Sequence, residues 1–139
     1  MPLDKLYYEK FINIFDEKIK LIFADNMLNI SREYNFSNRG FFKLSYRYIP
    51  YNYNIVIENE LRTFDIKIYD VEGASNVLNR IEHYDGSLDE NSITKSILLL
   101  KKVLEENNFN FYFYVDDKLY RKDAQGVKRI KDLKELFNG

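Results

Sequence analysis

Few groupings of residues in this 139-residue chain have the types and spacing that acid–base or covalent chemistry needs. There is a single imidazole, His83, and no cysteine. That excludes a thiolate zinc site, a cysteine nucleophile, a disulfide framework and any centre needing two imidazoles. His83 stands beside Glu82, Tyr84 and Asp85, the setting of a solvent-facing or hydrogen-bonded structural histidine. No G-x-S-x-G elbow is present, and Gly40, Gly73, Gly86, Gly126 and Gly139 are too dispersed for a phosphate loop. Among the close carboxylates, the candidates are Asp116-Asp117 and Glu58 with Glu60. The first falls in an expected hairpin turn, where Asp serves the backbone. A hydrolytic pair needs fixed separation in a cleft, and a metal site usually adds histidine. The expectation is a protein without catalysis, metal or cofactor.

What the chain has in excess is aromatic surface. Aromatics make up 17% of it, as 12 Tyr and 11 Phe with no Trp. A phenol needs a partner or water, and Tyr is favoured at recognition surfaces because it offers area at little entropic cost. A coding bias toward Tyr, Asn, Ile and Lys would raise the same count.

The elements that must position these residues follow from hydrophobic period. Leu3, Leu6, Tyr7, Phe11, Ile14, Phe15, Ile19 and Ile22 recur at helical spacing, which predicts an amphipathic helix from Leu3 to about Ala24. From Leu28 the period changes to two. Leu28–Phe36, Phe42–Tyr48, Tyr53–Ile57 and Phe64–Ile68 read as four antiparallel strands. The breaks at Ser37–Gly40, Pro50–Asn52 and Glu58–Leu61 are short enough for hairpins. Gly73–Asn76 reads as a turn, and Val77–Tyr84 as a further strand or a short helix, with strand preferred. Ser87 and Glu90 have capping-box spacing ahead of Ile93, Ile97, Leu100, Val103 and Leu104, so a second long helix is expected to start at Ser87. Phe109–Val115, Leu119–Arg121 and Val127–Ile130 read as strands, and Asp132–Phe137 as a short closing helix. This order is α+β: one domain over 1–139, an antiparallel sheet of five to seven strands, two long helices on one face and a short C-terminal helix.

If helices cover one face, period-two arithmetic puts Lys43, Ser45, Arg47, Asn54, Val56, Glu58, Asp65, Lys67, Tyr69, Asn110, Tyr112 and Tyr114 on the other. Net charge is −1, but residues 58–90 are acidic and residues 118–139 basic. The expected protein-binding residues are therefore Glu58, Glu60, Asp65, Tyr69, Tyr112 and Tyr114, carboxylates to steer a basic partner and aromatics to hold it. Lys118, Arg121, Lys122, Lys128 and Arg129 lie on or near a hairpin and could track phosphates, but acidic residues in the closing segment favour a solvated face.

Two resemblances bear on function. Arg39-Gly40-Phe41-Phe42-Lys43-Leu44-Ser45-Tyr46 resembles the RNP1 octapeptide of RNA-recognition domains, with Ile22–Met27 as its RNP2. It departs by Phe42 at a small-residue position and Lys43 at the stacking aromatic, and the two motifs stand too close together. Nucleic acid is accordingly not the expected partner. The last third, from Ser96–Asn108 through Phe109–Val115 to Asp117–Lys122 and Gly126–Ile130, resembles the small α+β immunity proteins of bacterial polymorphic toxin and contact-dependent inhibition systems. That resemblance implies a cytoplasmic protein that binds one toxin domain, such as a nuclease, and blocks it. An inhibitor or adaptor from a mobile element is the alternative, followed by a small enzyme or nucleic-acid binder. The apolar runs are too short to span a bilayer, and the N-terminus lacks a secretory h-region, so no membrane association is expected.

Overall fold

The computed structural model describes residues 2–35 and 40–132. Helix α1 spans Pro2–Phe23 and turns its stripe of Tyr8, Phe11, Ile12, Phe15, Ile19 and Phe23 inward. A short 3-10 turn leads to β1 (Met27–Asn35), followed by β2 (Phe41–Tyr48), β3 (Tyr53–Glu60) and β4 (Thr63–Tyr69). β5 is three residues, Ser75–Val77, and runs into a four-residue helix, α2 (Leu78–Ile81). Helix α3 covers Glu90–Glu106. β6 (Phe111–Val115), β7 (Lys118–Asp123) and β8 (Gly126–Arg129) complete the described elements.

All eight strands form one antiparallel sheet whose spatial order is the chain order. The α+β class and antiparallel sheet agree with the sequence. The expected count of five to seven strands is corrected to eight among the described residues, because β5 is too short to show an alternation. Val77–Tyr84 is corrected too: the strand ends at Val77 and a helical turn follows it. The closing helix expected over Asp132–Phe137 lies, after Asp132, outside the described residues.

The core explains the parity. Phe42, Leu44, Tyr46 and Tyr48 on β2, Ile55 and Ile57 on β3, and Phe64, Ile66 and Ile68 on β4 form one buried cluster with α1 and with Ile93, Ile97, Leu100 and Leu104 of α3. Phe15 meets Phe42 and Phe64 edge-on, and Phe23 meets Tyr48 in the same way. Each such buried ring stabilises by a few kcal/mol, so this seam of aromatics carries much of the fold.

Polar details fix the ends. Asn59 is buried, accepts from Phe42 N at 2.7 Å and donates to Gly40 O at 3.0 Å, which ties β3 to the start of β2. Gly40 has φ +65°, and a Cβ there would sit 1.9 Å from the Tyr8 ring, so α1 packs where only glycine fits. The cap of α3 is Asp89, whose carboxylate accepts from Ser92 N at 2.8 Å. The expected Ser87 cap is corrected: Ser87 bridges to Thr63 as an extension of β4, and its hydroxyl donates to Asp85 at 2.7 Å. No helix among the described residues is long and apolar enough to cross a membrane.

Candidate functional site

The register assembles the residues opposite the core into rows. On β2, β3 and β4, Lys43 pairs with Glu58 and Glu58 with Asp65. The next row toward the middle is Ser45, Val56, Lys67 and Val77. A third crosses the whole sheet, through Leu28, Arg47, Asn54, Tyr69, Ser75, Tyr112, Arg121 and Lys128. The first and third rows are four residues apart on β3, or about 13 Å. Between them lies a depression of about 400 Å³, lined by Ser45, Arg47, Asn54, Val56 and Tyr69 among others.

The expected binding residues separate into two groups. Glu58, Glu60 and Asp65 come together at the β3–β4 hairpin. Glu60 and Asp65 are exposed and Glu58 half-buried. None of the three makes an ion pair among the described residues, since Lys43 turns to Glu33 at 4.0 Å. Tyr69 is half-buried in the long row, two strands from Tyr112, or about 10 Å away. Tyr114 is 73% exposed near the far end of the sheet. Tyr112 is only 6% exposed, so its placement on an open face is corrected: it is covered, and its ring lies 6.0 Å from the Arg80 guanidinium carbon. The face is also less acidic than the chain segment suggested, because Lys43, Arg47 and Lys67 share it.

The other candidates lie as follows. Asp116 and Asp117 have φ +49° and +64°, the left-handed pair of a two-residue hairpin turn. His83 is exposed and its Nδ1 lies 2.8 Å from Asn79 Oδ1. Phe42, at the small-residue position of the RNP1-like segment, is fully buried against Phe15 as part of the core. Of the basic hairpin, Lys122 bonds Asp70 at 2.8 Å and also holds Glu72, while Arg121 pairs with Asp123 at 3.4 Å. No group of three or more His, Asp or Glu that could hold a metal ion occurs among the described residues.

Sequence reasoning missed the buried polar groups, among them Asn59, Asp70 and the Tyr46 hydroxyl. The Tyr46 hydroxyl donates to Asp16, which also pairs with Arg32, locking α1 to β1 and β2. Burial, then the bond to Asp16, pushes the Tyr46 phenol far above its ordinary value. The only sequence signal was a carboxylate on the helix at the margin of its apolar stripe. No family model matches the chain, and neither a curated protein nor a solved structure matches it.

Proposed function

We propose that the chain works by binding, as a cytoplasmic immunity protein that neutralises a toxin domain without catalysis. Both long helices are taken to share the core face of the sheet, which leaves the opposite face to the partner. One observation carries the reading: Glu58 and Asp65 stand directly opposite each other and neither forms an ion pair among the described residues, Lys43 reaching Glu33 instead. Like charges in a cross-strand pair weaken a sheet. A basic partner turns that cost into attraction and speeds encounter. The adjoining depression, with Tyr69 half-buried in its lining, supplies the contact that holds the complex. The resemblance of the last third to immunity proteins supports the choice of a toxin as the partner.

The test is growth rescue. The chain is co-produced with the toxin domain encoded beside its gene, and cells are expected to survive. A folded Glu58→Lys/Asp65→Lys variant is expected to protect less well. Death of cells producing the wild-type chain contradicts the reading.

A further inference from the structure

The sheet has a weak seam. β4 and β5 share three residue pairs and β6 and β7 share five, but β5 and β6 meet at Ser75 and Tyr112 alone. To one side of that pair, the Asn76 side chain replaces the ladder by donating to Asn110 O at 2.8 Å. To the other side, Phe113–Val115 have no paired residue on β5. A cleft of about 710 Å³ lies along the seam, with Gly73, Val77, Arg80, Tyr112, Tyr114 and Leu119 in its lining.

One buried donor in that lining lacks an acceptor, and one exposed cation beside it is unpaired among the described residues. The Tyr112 hydroxyl is buried without a hydrogen-bond partner, an arrangement that folded proteins avoid. Arg80 stands over the Tyr112 ring and has no ion pair among the described residues. A carboxylate answers both, pairing with the guanidinium and accepting from the phenol. The unpaired edge of β6 offers backbone N–H and C=O groups, and Val77 and Leu119 offer apolar contact. These are the features that recognise an extended peptide by strand addition.

We propose that the β5–β6 seam receives an extended segment of a partner protein, which pairs with β6 along Phe113–Val115 and sets an Asp or Glu side chain between Arg80 and Tyr112. Because one residue pair joins the strands there, a small parting of the seam uncovers the hydroxyl. This contact is separate from the Glu58–Asp65 corner and does not require the partner to be a toxin.

The probe is a phage-displayed library of random heptapeptides, selected against the immobilised protein. Selected peptides are expected to carry Asp or Glu at one fixed position in an otherwise β-branched sequence. The best of them, synthesised, is expected to shift the amide resonances of Phe113–Val115. It should bind about ten-fold more weakly to folded Arg80→Gln, and more weakly also to Tyr112→Phe. Glu58→Lys should bind it as the wild type does, so failure here is distinguishable from failure of the toxin reading. No selected peptide, no acidic position, shifts confined to other strands, or undiminished binding to Arg80→Gln overturns the proposal.

Discussion

Glu58 and Asp65 are directly opposed across β3 and β4, two carboxylates in one cross-strand pair. Neither makes an ion pair within 4.0 Å among the described residues, although Lys43 is the cross-strand neighbour of Glu58 on β2. Asp65→Lys would convert this pair to opposite charges. The free protein should gain about 0.2–1 kcal/mol, read as a higher urea midpoint. A lower midpoint would show that Asp65 supports the fold, and would remove the case for an interface role.

The α3 cap gives a local test. Asp89→Ala should cost about 0.5–2 kcal/mol, because Ser92 N loses its acceptor. Ser87→Ala should cost less, since Ser87 is not at the cap. Equal losses in urea denaturation would contradict this assignment.

Much of the fold was legible because its strands are long and half-buried. Phe42, Leu44, Tyr46 and Tyr48 alternate cleanly, and each of them is buried. β5 was not legible, since three residues cannot display a period. The cap was misread because Ser87 and Glu90 have box spacing while Ser87 is held in a bridge to Thr63, a contact with no sequence signature. At the candidate site, the carboxylate cluster followed from strand parity. The burial of Tyr112 did not, because parity names a face and not what lies over it; Arg80 follows β5 and arrives by tertiary packing.

Alkaline conditions should unfold the protein through its buried tyrosines. Burial, then the bond to Asp16, raises the Tyr46 phenol above its ordinary value of 10.0, and burial does the same for Tyr84. A raised phenol keeps its proton longer in the folded state than in the unfolded chain. Its contribution is therefore complete below the unfolded value and is lost as pH rises beyond it. Each such group adds a slope of up to about 1.4 kcal/mol per pH unit above about pH 10. Urea midpoints measured across that range should fall steeply, and less so for Tyr46→Phe/Tyr84→Phe. A flat profile in the wild type would contradict the assignment.

Removal of the Tyr112 hydroxyl separates folding from binding. Tyr112→Phe deletes a buried donor without a partner, so the free protein should be more stable by about 1 kcal/mol. A loss of stability by differential scanning calorimetry would mean that the hydroxyl is satisfied in solution and is not held for a ligand.

The central claim is that the face opposite the core binds a basic protein, and association kinetics test it most directly. The basic partner, on the proposed reading a toxin domain, would be passed over immobilised wild type and Glu58→Lys/Asp65→Lys at low and at high salt. The account predicts association slowed about ten-fold or more for the variant at low salt, with a shallower salt dependence, because steering acts on encounter. Identical association rates at both salt concentrations, with the variant shown to be folded, would contradict it.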